Sequence, residues 1–438
     1  MFKKSALLVF VVLLSTIVHA NNMLIQNVTT TGNNATNKTI QVQFDMSWDN
    51  SWRDSINWDA AWIFIKFKDA NGLWQHAQLN LAGYANGTGT SNIVKVTSDK
   101  VGAWVYRSAL GSGTFNSTSM QLQWNYGLNG LSNVTGLEVR VFAVEMVYVP
   151  EGEFNCANNF DFYFSIMNSG NFSTQGGAFP VINQRLSPSI SYYDGTSALV
   201  KIKGDVGIDS NNDGVIDIID YPIGYKAFYC FKYEMTEQQY VDFLNTLTDM
   251  QIITLGIAGY NIYLNNNQYF TSSPNLSCGK SNPQRLFSYA DWAGVRPMSI
   301  LEFNKSSYGP TLPVWVPDNG GFGFTAGYPA WGSSFNTTGY NSGLNNVGYL
   351  ASINSTRVTS GSSYYGVMDL TFNGIEPVIR LNAFLFNNKN GNGFLLSNGK
   401  TDEVSWQEQM VIYIDQFDRN IRFCGADCLG FRYVRSAE

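Results

Sequence analysis

Between Ile40 and Trp48 every second residue is large and apolar: Ile40, Val42, Phe44, Met46 and Trp48 alternate with Gln41, Gln43, Asp45 and Ser47. A period of two cannot be buried by a helix, so this segment reads as a strand with one face in a core and one in water. Further short runs of β-branched and aromatic residues follow. Ala61–Lys68, Ile93–Thr97, Gly102–Tyr106, Met120–Trp124 and Leu137–Val144 are separated by clusters of Gly, Asn, Ser and Thr that favour turns. Strands at this spacing predict a β-sandwich over residues 21–145. Trp48, Trp52, Trp58 and Trp62 crowd one stretch of it. They are expected to pack its core, although an aromatic ring displayed at a loop can also stack on a sugar.

The segment ahead of this region carries an export signal. Lys3 and Lys4 precede thirteen residues, Ala6 to Val18, that are apolar apart from Ser15 and Thr16, and Val18-His19-Ala20 offers a cleavage site. Residues 1–20 are therefore assigned to a signal peptide, and no later apolar run is long enough to span a bilayer. Exported placement in the periplasm, at the cell surface or outside the cell is expected. Without Lys3 and Lys4 the chain holds 25 basic against 33 acidic residues, a net charge of about −8. Nucleic-acid binding, which needs dense positive charge, is excluded on that ground.

Histidine is nearly missing. Of two, His19 leaves with the signal and His76 alone remains. A Ser-His-Asp or Cys-His system would have to be built on His76, which lies on an expected strand and is read as a packed or surface residue. A two- or three-histidine iron site cannot form within one chain. The five cysteines are Cys156, Cys230, Cys278, Cys424 and Cys428. Their odd number leaves at least one without an intrachain disulfide. The acidic residues are too dispersed to nominate a hydrolytic pair of carboxylates.

Residues 209–220 match a twelve-residue calcium loop. Asp209, Asn211, Asp213, Asp217 and Asp220 place oxygens at positions 1, 3, 5, 9 and 12, Val215 offers its carbonyl at position 7, and Gly214 allows the turn at position 6. A hard cation needs six or seven oxygens, and alternate residues of one tight loop supply most of them. Asp220 at the last position, where sensor loops have Glu, resembles the dockerin and thrombospondin variants. A structural Ca2+ is expected here.

Several blocks from residue 146 onward resemble, in order, the formylglycine-generating-enzyme (sulfatase-modifying-factor) family. Met146–Phe154 looks like its opening strand, and Lys232–Thr236 with Tyr240 and Phe243 looks like its "E-V-T-x-x-x-Y-x-x-F" strand-to-helix block. Tyr289–Ser299, Tyr365–Leu370 with Asn373–Glu376, and Gly430–Arg435 look like three later blocks, ending in the "G-F-R" strand. The resemblance implies an N-terminal all-β sandwich followed by an α+β C-type-lectin-like (sulfatase-modifying-factor) domain over residues 146–438. No Pro/Ser linker separates the two, so close packing is expected. Capping boxes at Thr236–Gln239 and Ser299–Glu302 mark two helix starts.

The departures from the family bear on function. Its copper-binding catalytic cysteine segment has no counterpart before Gly430. Cys424 and Cys428 are the only close pair, and they lie too near the terminal strand and one residue too close together. Ile300, Phe303 and Asn304 stand where the family's second block has Glu, Trp and Glu. The histidine count removes the related multi-histidine iron site. The resemblance also implies calcium near Asn373 and Glu376. Three functions follow as expectations. The first is a non-catalytic binding or structural protein of the cell envelope or surface, with a protein or glycan partner and self-association left open. The second is a copper-dependent oxidase using Cys424 and Cys428. The third is a carbohydrate-binding surface protein.

A cation bound only by the folded loop stabilises the fold by mass action. Excess EDTA is expected to lower the melting temperature by several degrees, and Asp213→Ala to reproduce that shift without chelator. An unchanged melting curve in EDTA would count against the loop.

Overall fold

The computed structural model describes residues 23–156, 200–202, 220–280, 282–310, 315–317, 322–324, 345–348, 351, 360, 362–370, 376–379, 386–406, 411–414 and 430–438. These residues form a β-rich fold with four α-helices among them. The first strands are β1 (Leu24–Asn34), β2 (Thr39–Arg53), β3 (Asp59–Lys68), β4 (Trp74–His76), β5 (Thr88–Gly89), β6 (Asn92–Val96), β7 (Ala103–Arg107), β8 (Gly111–Asn125) and β9 (Val139–Val149). After them come β10 (Phe154–Cys156), β11 (Val200–Ile202), β12 (Phe228–Phe231), α1 (Glu237–Leu244), α2 (Asp249–Leu255), β13 (Ile262–Asn265) and β14 (Gln268–Thr271). The chain continues through α3 (Pro283–Trp292), β15 (Arg296–Pro297), α4 (Ile300–Tyr308), β16 (Trp315–Pro317), β17 (Phe322–Phe324), β18 (Glu376–Ile379), β19 (Val411–Ile414) and β20 (Tyr433–Ser436). Among the described residues no helix is long and apolar enough to cross a membrane.

The alternating segment is the central part of β2. It pairs antiparallel with β1 on one side and β8 on the other, in a four-stranded sheet ordered β1-β2-β8-β5. Ile40, Val42, Phe44, Met46 and Trp48 point to one side and are buried with Phe115, Met120, Leu122 and Trp124 of β8. Against them lie Ala61, Ile63, Ile65 and Phe67 of β3, Val94 and Val96 of β6, and Ala103 and Val105 of β7. Two sheets thus face each other across one core, as the strand spacing predicts.

The second sheet extends well past the sandwich. Its order is β15-β20-β12-β9-β3-β7-β6, with β4 beside β3. Strands from both halves of the chain hydrogen-bond in it: β9 pairs with β3 along Val139–Val147 and with β12 along Met146–Val149. The boundary expected between residues 145 and 146 therefore falls inside β9. The halves do more than pack closely; they share a sheet.

Burial on two sides explains the composition of β3. Its odd-numbered apolar residues enter the sandwich core, while Ala60, Trp62 and Phe64 enter a second core with Met146, Phe231, Trp292, Ala293 and Tyr433. A strand covered on both faces reads as a continuous apolar run, which Ala60–Ile65 is. Trp62 is fully buried, and its Nε1 donates to Ala293 O at 2.8 Å, just past the end of α3. Gly294 follows with φ +68°, and a Cβ there would come within 2.5 Å of Val101 Cγ1. A left-handed turn and a close approach coincide at that point, and glycine meets both.

The helices begin where local chemistry dictates. Thr236 caps α1 and Ser299 caps α4, each with a reciprocal capping box through Gln239 and Glu302. Thr248 caps α2 in the same way. Asn282 accepts from Arg285 N ahead of Pro283 at the start of α3. Glu302 also receives Arg296 of β15 in a forked pair, 2.8 Å from Nη1 to Oε2 and 2.5 Å from Nη2 to Oε1.

A two-sided sheet ties the stability of both halves together. Calorimetry is expected to show one unfolding transition, with Trp62→Ala costing roughly 3–5 kcal/mol and shifting that whole transition. Two transitions, of which only one moves, would contradict the shared sheet.

Candidate functional site

The alternation of β2 breaks after Trp48. Asn50 takes φ +55°, the pairing with β8 shifts register between Trp48 and Ser51, and Ser51 becomes the buried residue. A bulge of this kind turns the following side chains to the other face. Trp48 stays in the sandwich core, whereas Trp52 swings out of it and packs partly against the second core. It arrives at a cleft of about 610 Å3 between the halves.

One wall of this cleft comes from Asp49, Asn50, Trp52 and Arg53 of β2 and Asp54 just after it, with Gly111–Thr114 of β8. The other comes from Lys232, Tyr233, Ser360, Ser362, Gly366 and Met368. Asn57 Nδ2 donates to Tyr365 O at 2.6 Å and holds the walls together. Gly366, at φ +95°, packs against the indole of Trp52; a Cβ there would be 2.7 Å from Cζ2.

At the floor, Lys232 Nζ lies 2.5 Å from Glu145 Oε1 and 3.4 Å from both Asp59 Oδ2 and Asn50 O. Asp59 also accepts from Trp48 Nε1, Ser51 Oγ and the backbone N–H of Trp52, which fixes the bulge. Burial pushes the Glu145 carboxyl well above its ordinary range, with Asp59 adding to the effect and Lys232 opposing it. Desolvation pulls the Lys232 ammonium down, but Glu145, then Tyr233 and Asp59, together outweigh it and raise the group. Two carboxyl groups therefore share one buried cation, and burial favours the protonated form of Glu145.

The remaining charges at the cleft engage partners within the protein. Arg53 donates to Arg107 O at 2.7 Å, and its guanidinium stacks over Trp58 at 4.6 Å. Asp49 accepts from Thr114 Oγ1 at 2.8 Å, and Asp54 accepts from the N–H groups of Ile56 and Asn57. A second, smaller depression of about 430 Å3 runs along β1 and β9 to α1 and α3, and is lined chiefly by apolar side chains.

Of the calcium-loop residues, Asp209, Asn211, Asp213, Val215 and Asp217 lie outside the described residues, as do Asn373, Cys424 and Cys428. Asp220 is described and exposed. Glu376 opens β18 and is buried, with Oε1 accepting from Arg432 Nε at 2.6 Å. Arg432 further donates to the carbonyls of Phe231, Lys232 and Met368. Near it, burial raises Glu234 and Asp369, with Glu376 raising Glu234 further.

His76 is fully buried, its Nε2 2.6 Å from Val101 O. Burial and then Lys66 hold it well below its ordinary 6.5, so it is a neutral packing residue. Cys230 and Cys278 are free thiols at 0% exposure. Burial pushes the Cys230 thiol up to about 12 and raises that of Cys278 as well, which removes thiolate reactivity from both.

No family model matches the chain, and no curated protein matches it.

The sign of the Glu145 shift sets a pH dependence. The folded state keeps a proton that the unfolded chain releases near 4.5, so this group's contribution falls as pH rises above that value, until the folded carboxyl also ionises. Glu145→Gln retains the neutral form. Urea denaturation from about pH 5 upward is expected to show wild-type stability declining relative to Glu145→Gln; parallel curves would mean that the carboxyl is already ionised.

Proposed function

We propose that the chain is an exported, non-catalytic binding protein of the cell envelope or surface, on a formylglycine-generating-enzyme-like scaffold stabilised by calcium. The observation that carries this reading is the junction cleft. Its charged side chains engage partners within the protein, an arrangement suited to holding a ligand shape and poorly suited to nucleophilic or acid–base attack. The two described thiols are sealed in cores. The sequence adds that a single histidine survives export, and that one is packed and neutral.

The scaffold assignment draws support from the meeting of the quoted blocks. Met146–Val149 in β9, Phe228–Phe231 in β12 and the terminal β20 are successive neighbours in one sheet. Thr236 starts α1, and Arg432 of the "G-F-R" block bonds the carbonyls of Lys232 and Met368. The C-type-lectin-like architecture of this half belongs to the same proposal. So does structural calcium at Asp209–Asp220, with Asn373 and Glu376 as the candidates for a second ion.

The direct test pits this against the oxidase alternative. Mature chain loaded with copper(I), supplied with oxygen and a cysteine-containing peptide, is expected to yield no aldehyde product above a metal-only control by mass spectrometry. Cys424→Ser and Cys428→Ser should then leave that result unchanged. Aldehyde that forms with the intact protein and vanishes in either variant would establish catalysis instead.

A further inference from the structure

Of seventeen large apolar side chains left exposed among the described residues, seven fall between Met250 and Phe270. Clustered exposure marks a contact surface, whereas single exposed apolar residues do not. The β13–β14 hairpin lies in this stretch, and its register decides what it displays. Ile262 pairs with Thr271 and Leu264 with Tyr269, while Tyr263 pairs with Phe270 and Asn265 with Gln268. The two sets lie on opposite faces of the hairpin. Ile262 and Tyr269 pack against the second core, so Tyr263, Phe270, Asn265 and Gln268 make up the outer face.

These four side chains are available to a ligand. Tyr263 and Phe270 are 50% and 41% exposed, with ring centroids 6.1 Å apart and planes inclined by 27°. The carboxamides of Asn265 and Gln268 are exposed and make no hydrogen bond with the described residues. Asn266 and Asn267, at φ +47° and +59°, form the tight turn between them. A two-stranded hairpin is marginal by itself, but α1 holds this one in place. The Glu237 carboxylate accepts from the N–H groups of Tyr260 and Asn261 and from Thr271 Oγ1 at 2.6 Å. Asn245 donates to Tyr269 O at 3.0 Å and accepts from Tyr269 N at 2.8 Å. The outer face is thus displayed on a fixed support.

Charge narrows the ligand. Residues 250–279 contain no acidic or basic side chain, and Lys280 just beyond them lies over the Tyr260 ring at 4.5 Å. An ionic ligand finds no counter-charge here, and an anionic bilayer finds none of the basic residues that attract one. Two aromatic faces suit apolar C–H surfaces, and each free carboxamide offers both donors and an acceptor to hydroxyl groups. A neutral sugar has both kinds of surface. We infer that the outer face of the β13–β14 hairpin binds a neutral polysaccharide, stacked on Tyr263 and Phe270 and held at its hydroxyls by Asn265 and Gln268. The inference rests on the binding reading above and adds a second surface, none of whose residues lines the junction cleft.

The test uses the mature full-length chain and affinity electrophoresis in gels containing one polysaccharide each: a neutral β-glucan, a mannan, a galactan, anionic polygalacturonate, and cationic, partly deacetylated chitin. At least one neutral polymer is expected to retard the protein more than either charged one does. Tyr263→Thr and Phe270→Thr each remove a ring while keeping strand preference. Each should weaken that retardation by about tenfold at an unchanged melting temperature, whereas Tyr263→Phe should retain it. Gln268→Met keeps the shape and removes the carboxamide; it should weaken retardation by about fivefold, which a merely sticky apolar face would not do. Retardation by charged polymers alone, by none, or undiminished in the Thr and Met variants would overturn the inference. So would a dimer that the Thr variants split, or phosphatidylcholine-vesicle binding that they abolish, in place of retardation; the face would then belong to a second copy or to lipid. Any of these results beside a clean peptide-oxidation control sinks the polysaccharide and spares the binding reading. Aldehyde formation in that control would sink the binding reading itself.

Discussion

The shared sheet depends on the covering of β3 on both faces. Ile63, Ile65 and Phe67 belong to one core, Trp62 and Phe64 to the other, and the alternation of side chains along the strand assigns them without choice. A one-residue slip in its pairing with β9 would move every one of these side chains into the wrong layer. Both halves therefore agree on one register, and the cleft inherits its geometry from that agreement, since Asp59 at the start of β3 and Glu145 of β9 hold Lys232.

Buried charge supplies the second level of definition. Arg432, Arg296 and Lys232 are each 4% exposed or less, and each is met by carboxyl groups and carbonyls. Such pairs add little net stability over apolar packing, but breaking one partner away typically costs about 3–5 kcal/mol. Their effect is to penalise alternative arrangements. Arg432 reaches three carbonyls and Glu376 at once, so β12, β18, β20 and the Met368 segment can meet in only one way.

Much of the sandwich was legible because period-two patterns and turn clusters are local. The expected strands at 93–97, 102–106 and 137–144 fall within a residue or two of β6, β7 and the first part of β9. The division of the chain was less legible. Met146–Gly152 reads as the opening of a new domain, yet Val139–Val149 is one continuous strand, and only its two partners reveal that it serves both halves. Helix α2 escaped notice because Leu255 alone is buried, which leaves no apolar stripe, although Thr248 and Gln251 form the same capping box that marked α1 and α4. The tryptophan cluster includes one residue, Trp52, that lines the junction cleft. It could not say that Trp52 differs from Trp48, because an even spacing puts both on one face of a regular strand, and the shift at Asn50 is a property of the pairing with β8.

Arg432 and the carbonyl of Phe231 that it bonds are 201 positions apart along the chain, and β20 lies between β12 and β15 in the finished sheet. A ribosome making the chain delivers β12 long before its neighbour, so that edge stays open while later segments are synthesised. Sequence-distant pairing of this sort slows folding and prolongs exposure to aggregation.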